Sequence, residues 1–189
     1  IVVATHLNIS DQAITESLKT FTGVARRFQI NREFSFQNEL VTLVDDYGHH
    51  PREIEATLGS LKQAWPKRRA IIIFQPHRYS RTRDLFEDFV RVLSSVDILI
   101  LLEVYSAGED VIAGADGGAL VQVIRARGQV NPVFVENRND LLDILEGLIQ
   151  PKDVVLTLGA GSVSKIAAEL SDALPERMSA MKTAAEEWL

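Results

Sequence analysis

Apolar positions along the chain recur with two periods, and the periods alternate. In residues 11–21, DQAITESLKTF, Ile14, Leu18 and Phe21 fall at i, i+4 and i+7, the stripe of an amphipathic helix. Gly23 breaks that pattern, and residues 26–45 read as extended structure carrying Phe28, Phe34, Phe36 and the apolar run from Leu40 to Val44. From Pro51 the spacing is helical again, with Ile54, Leu58, Leu61 and Trp65 on one face and the proline at the helix start, where it is tolerated. RAIIIFQP is an all-apolar strand, residues 83–95 a helix, DILILLEVY a second buried strand, and 117–127 a helix. NPVFVE reads as a short strand, 139–149 as a helix with Leu141, Leu142, Leu145 and Leu148, and DVVLTLG as a strand. Val163, Ile166, Ala167 and Leu170 mark a last helix, and the Ala/Glu-rich stretch 175–189 is expected to be a terminal helix or a tail.

Strands without in/out alternation are buried on both faces, as in parallel sheets. Strands and helices that alternate through short links predict an α/β fold: a doubly wound, mostly parallel sheet with helices on both faces. In such sheets ligands bind outside the carboxyl ends of the strands. The segments leaving the strands are DDYGHHP, QPHRYSRTR, YSAGED, ENRND and GAGS, and the polar, titratable and glycine-rich residues gather there.

Composition narrows the chemistry. The chain has 189 residues, enough for one α/β domain and an appendage. It begins IVVATHLNIS, with neither an initiator Met nor a signal-peptide n-region and as if inside a helix, so a piece of a longer protein is expected. A net charge of −6 argues against a general nucleic-acid binder but leaves room for a local basic pocket. Without cysteine there are no disulfides, cysteine zinc sites or thiol nucleophiles. The longest apolar run, VDILILLEV at 96–104, is strand-sized, so no membrane insertion is expected.

QPHRYSRTR places His77, Arg78, Arg81 and Arg83 directly after a strand. Guanidinium forks match carboxylates and phosphates, which suggests an anion pocket; the plainer alternative is a solvated loop with surface arginines. DDYGHHP could ligate a metal, since Asp and His suit divalent ions. However, neighbours in an extended segment point opposite ways, so His49 and His50 are not expected to share one ion, nor are Asp45 and Asp46. One member of each pair is expected to face the cleft and the other to hold the loop. An Asp at a strand end can also accept both hydroxyls of a ribose. TLGAGSVSK carries two glycines of a dinucleotide fingerprint with Ser164 at the third position, and it follows the last strand rather than the first, which disfavours NAD. ARRF, 25–28, could simply set cations at a helix C-terminus. There is no Walker A sequence and no G-x-S-x-G elbow.

In order, GVARRF, VDDYGHHP, FQPHRYSRTRDLFEDF, LEVYSAGE and GAGSVSKIA resemble the C-terminal part of a Mur ligase over residues 1 to about 172. Tyr47-Gly48 sides with the branch that adds L-alanine; the tripeptide-recycling branch usually has Phe-Ala there. The resemblance implies a Rossmann-like C-terminal domain over 26–174, with 1–25 left from a central ATPase domain, 175–189 as tail, and an N-terminal UDP-substrate domain and most of the central domain missing. It implies a bacterial, cytoplasmic, ATP- and Mg²⁺-dependent ligase of peptidoglycan precursor synthesis. UDP-N-acetylmuramate would be joined to L-alanine through an acyl phosphate, with the Mg²⁺ ligands outside this chain. By the same resemblance Tyr47, His49, His77, Arg78 and Arg81 surround L-alanine, and His49 or His77 would hold or deprotonate its ammonium group. Asp46 would contact the ATP ribose, Arg27 the terminal phosphates, and Gly161 and Ser162 would line the amino-acid pocket. Alternatives are a tripeptide-recycling ligase of the same family and a non-enzymatic nucleotide- or anion-binding α/β module.

Overall fold

In the computed structural model, which describes residues 1–21 and 23–186, the apolar runs form six strands. These are β1 (Gln29–Phe36), β2 (Glu39–Asp46), β3 (Ala70–Phe74), β4 (Ile98–Leu102), β5 (Val133–Val135) and β6 (Val154–Leu158). They lie in the order β1-β2-β6-β3-β4-β5. All pairings are parallel except β1 with β2. The extended stretch 26–45 is thus an edge hairpin. Its two-residue turn, Gln37 and Asn38, has φ of 51° and 66°, the left-handed pair whose twist matches flanking strands.

The helices are α1 (Val2–His6), α2 (Asp11–Thr20), α3 (Pro51–Ala64), α4 (Tyr79–Asp84), α5 (Phe86–Leu93), α6 (Gly117–Arg127), α7 (Leu141–Leu148) and α8 (Val163–Glu186). A single 3₁₀ turn, Arg138–Asp140, precedes α7. Alternate residues of β3 serve two cores. Ile72 and Phe74 pack with Ile54 and Leu61 of α3, Phe89 and Leu93 of α5, and Leu120 and Ile124 of α6. Ile71 and Ile73 pack with Leu141 and Leu145 of α7 and Ile166, Leu170 and Leu174 of α8. This two-sided burial is why the strand reads as unbroken apolar sequence, each full burial contributing about 1.5–3 kcal/mol.

One expectation is corrected and one alternative is decided. The helix foreseen over 83–95 is two helices, bent at Leu85 (φ −115°, ψ 22°), with Tyr79 and Thr82 buried in the first and Phe89, Val90, Val92 and Leu93 in the second. At the other end α8 runs through Pro175, and Met178 joins the second core, so of the terminal helix and the tail expected over 175–189 the helix is found as far as Glu186; residues 187–189 lie outside the described residues. The α2 helix forms, capped by the Ser10 hydroxyl accepting from the Ala13 N–H, but its predicted stripe is not buried: Leu18 is 53% and Phe21 62% exposed. Among the described residues no helix is long and apolar enough to cross a membrane.

Candidate functional site

The parallel strands end level. Asp46, Leu158, Phe74 and Leu101 occupy one register row, so the loops after β2, β6, β3 and β4 start from one line. The helices after β4 and β5 lie on opposite faces of the sheet. There, at the kind of switch point where α/β sheets bind ligands, a crevice of about 390 Å³ is lined in part by Gln75, Tyr105, Asn137 and Ser162. A larger groove, about 870 Å³, lies around the C-terminal ends of α3, α5 and α6 and carries Lys62, Arg68, Arg91 and Arg127. Cations at helix C-termini offset the helix dipoles, and none of the candidate site residues named from the sequence lines this groove.

The first loop is held from both sides. Asp45, 3% exposed, accepts from Arg26 Nε at 2.8 Å and from Thr157 Oγ1 at 2.7 Å. Arg26 also donates to the Gly159 carbonyl at 2.6 Å, tying this loop to the GAGS turn. Its role is therefore not to cap a helix, since α2 ends at Thr20. Asp46, foreseen as facing a ribose, is 5% exposed and accepts from the Phe28 N–H (2.8 Å), the Gly48 N–H (2.7 Å) and Thr57 Oγ1 (3.2 Å). Here both carboxylates hold the loop, because buried acceptors take the nearest donors. His50 caps α3, accepting from the Arg52 N–H, while Glu53 accepts from the His50 N–H in return. The two histidines diverge as the alternation argument requires: His49 Nδ1 lies 3.1 Å from the Tyr47 carbonyl oxygen and 3.4 Å from Glu53. Among the described residues no group of three or more His, Asp or Glu side chains is placed to hold a metal.

Four rings from three loops form a continuous row. Tyr47 meets His49 edge-on at 5.3 Å, His49 meets His77 at 5.8 Å, and His77 stacks on Tyr105 at 5.4 Å and 22°. The Arg26 and Arg27 guanidinium carbons lie 5.1 and 5.5 Å from the Tyr47 ring centre. Arg81 Nη1 donates to the His77 carbonyl at 3.1 Å. Arg78 has a left-handed backbone, φ 75° and ψ 132°, pinned by its N–H to the Tyr105 carbonyl (2.8 Å) and by Thr82 donating to its own carbonyl. Strain of this kind persists only where the surroundings over-determine it. The GAGS turn closes the row: a Cβ on Gly161 would lie 2.6 Å from Tyr105 Cγ and 2.8 Å from Gln75 Oε1. Gln75, 8% exposed, donates to Ser162 Oγ (3.1 Å) and accepts from the Val163 N–H (3.0 Å).

The structure thus brings Tyr47, His49, His77, Arg78, Arg81, Gly161 and Ser162 to one edge, with Arg27 beside Tyr47. Burial first, then the Arg81 guanidinium, His49 and Arg78, push the His77 imidazole below its usual range, so it is neutral near pH 7. Glu109 is held down to about 2 by the Ser80 N–H, the Ser80 hydroxyl and Arg78. Sequence reasoning flagged the segments holding Gln75, Tyr105 and Glu109 but gave those residues no role; the signal was their place after a strand end.

A family model described as Mur ligase, glutamate ligase domain, matches residues 26–161. The UDP-N-acetylmuramate–L-alanine ligase of Methylococcus capsulatus is 57% identical over 176 residues, 93% of this chain and 36% of that protein. The crystal structure of the UDP-N-acetylmuramate–alanine ligase of Thermotoga maritima superposes with a TM-score of 0.73 at 26% identity, over 93% of this chain and 36% of that one. A murein peptide ligase from Psychrobacter arcticus shares the fold, with a TM-score of 0.60 at 19% identity, over 92% of this chain and 35% of its own. The chain spans a little over a third of the length of each of these relatives.

Proposed function

Because the chain belongs to the Mur ligase family, we propose that it is the C-terminal domain of an ATP-dependent ligase joining L-alanine to UDP-N-acetylmuramate in peptidoglycan precursor synthesis. The observation that carries this reading is the meeting of Arg78, Arg81, His77, His49 and Tyr47 on one sheet edge, in a chain 57% identical to a ligase of that name. Arg78, largely solvent-facing, offers a planar fork to the α-carboxylate of alanine. His77, neutral by burial and by its arginine neighbour, accepts the proton that the alanine ammonium group must lose before its nitrogen attacks. Arg27, whose guanidinium lies against the Tyr47 ring, would meet the terminal phosphates of ATP. ATP with Mg²⁺ supplies the phosphoryl group that activates the muramoyl carboxylate. Asp46, with its carboxylate already engaged, orients the nucleotide side of the cleft by fixing Phe28 and Gly48, leaving at most one lone pair of Oδ2 for a ribose.

On this reading residues 1–25 belong with a central ATPase domain, which accounts for the exposed Val2, Val3, Leu7 and Leu18 of α1, α2 and their link. Residues 26–174 form the amino-acid domain and 175–189 its extension. The protein works in the bacterial cytoplasm, where closure of this domain over the ATPase domain completes the site. The test is steady-state kinetics of the full-length protein with Arg78→Ala. The KM for L-alanine should rise about 30–100-fold, from loss of charged hydrogen bonds, with KM for ATP little changed. An unchanged KM for L-alanine, or equal turnover with L-Ala-γ-D-Glu-diaminopimelate in its place, would sink the assignment.

A further inference from the structure

The loop after β4 reaches back across the sheet edge to grip Arg78. Glu109 Oε1 lies 3.3 Å from Arg78 Nη1 and accepts from the Ser80 hydroxyl at 2.7 Å, while Oε2 accepts from the Ser80 N–H at 2.9 Å. The same loop is fastened at its base, where the Arg78 N–H donates to the Tyr105 carbonyl and the Tyr105 N–H to the Pro76 carbonyl, both at 2.8 Å. The Arg78 loop and the Glu109 loop are thus joined twice, once through the backbone and once through side chains.

We propose that Glu109 is a positioning residue for amino-acid recognition: it holds the Arg78 guanidinium by one end, so that the opposite edge is presented to the α-carboxylate of the substrate. This rests on the reading of Arg78 as the carboxylate clamp. A guanidinium has five N–H donors in a rigid plane. Glu109 engages Nη1 alone, which leaves the Nε/Nη2 edge, the side suited to bidentate capture of a carboxylate, without a protein partner among the described residues. The Arg78 side chain is 46% exposed and, among the described residues, is otherwise held only through its backbone, so without Glu109 it would sample many rotamers. Substrate would then bear the cost of ordering it, which appears as weaker binding. The anchor itself is dependable. Two Ser80 donors fix Glu109 and, with Arg78, hold its carboxyl ionised down to about pH 2, so the grip does not loosen across any physiological pH.

The experiment is a double-mutant cycle in the full-length protein with Arg78→Ala, Glu109→Gln and the pair, reading kcat, KM for L-alanine and KM for ATP. Glu109→Gln keeps the shape and an acceptor for Ser80 but weakens the charged contact to Arg78. It should raise KM for L-alanine about 10-fold and leave kcat and KM for ATP within about 2-fold. In the Arg78→Ala background Glu109→Gln should change nothing further, because Glu109 acts through Arg78. Additive effects, or a Glu109→Gln protein with unaltered KM for L-alanine, overturn the inference while leaving the carboxylate clamp intact. If Arg78→Ala itself leaves KM for L-alanine unchanged, the underlying reading fails and the inference with it. Thermal midpoints of all variants separate these outcomes from unfolding; should Glu109→Gln not fold, Glu109→Ala, which removes the carboxylate from Arg78 and Ser80 altogether, takes its place with the same expected split.

Discussion

Replacing Asp46 by Asn removes one charge and almost no volume, so it isolates what the carboxylate does. Its oxygens serve three donors: the Gly48 N–H and Thr57 Oγ1 on Oδ1, and the Phe28 N–H on Oδ2. An amide has a single acceptor oxygen. Whichever way the new side-chain amide turns, its NH₂ faces a backbone N–H at the 2.7–2.8 Å now occupied by a hydrogen bond. Only Thr57 can adapt, by rotating its hydroxyl. The loss is one charge-assisted hydrogen bond, about 1.5–3 kcal/mol, plus a buried N–H left facing a donor. The total is about 2–4 kcal/mol, out of a stability of about 5–15 kcal/mol for a domain. Urea unfolding of Asp46→Asn should therefore show a lower midpoint with unchanged slope, and the thermal midpoint should fall by roughly 4–16 °C. A variant within about 0.5 kcal/mol of the parent would refute the view that Asp46 anchors the loop.

Two further outcomes follow from the geometry. Gly161→Ala should destabilise the protein by about 1–3 kcal/mol, because its Cβ would press on Tyr105 and Gln75, whereas Gly147→Ala in α7, with open space around it, should stabilise by about 0.5–1 kcal/mol; paired denaturation curves check the opposite signs. With its pKa lowered on folding, His77 binds more protons in the unfolded chain than in the folded one below about pH 6.5, so stability should fall as pH drops from there, and His77→Gln should flatten that limb in denaturation curves taken between about pH 4 and 7.

The regular half of the molecule was legible because each rule had one competitor at most. The apolar β3, β4 and β6 could only be two-sided strands, and Pro51 could only open a helix. Leu85 was not legible: the apolar spacing stays helical on both sides of a bend that only its backbone angles, φ −115° and ψ 22°, reveal. At the site, the strand-end rule located every loop, and alternation separated His49 from His50. Alternation also separates Asp45 from Asp46, but it does not show that the loop engages both carboxylates, because several of their donors, Arg26, Phe28 and Thr157, lie far away in the chain and long-range partners leave no local mark. Glu109 escaped notice for the same reason, lying thirty-one positions from the arginine it holds.

The level ends of β2, β6, β3 and β4 set a grid. Strands stand about 4.8 Å apart and rise about 3.3 Å per residue, so a group moved between neighbouring loops at the same offset steps sideways by one strand width at constant height. Moving it one residue along its own strand changes its height and turns it to the other face. The edge therefore works like a pegboard, in which a new cleft is made by choosing which pegs carry a ring, a fork or a glycine while the board stays as it is.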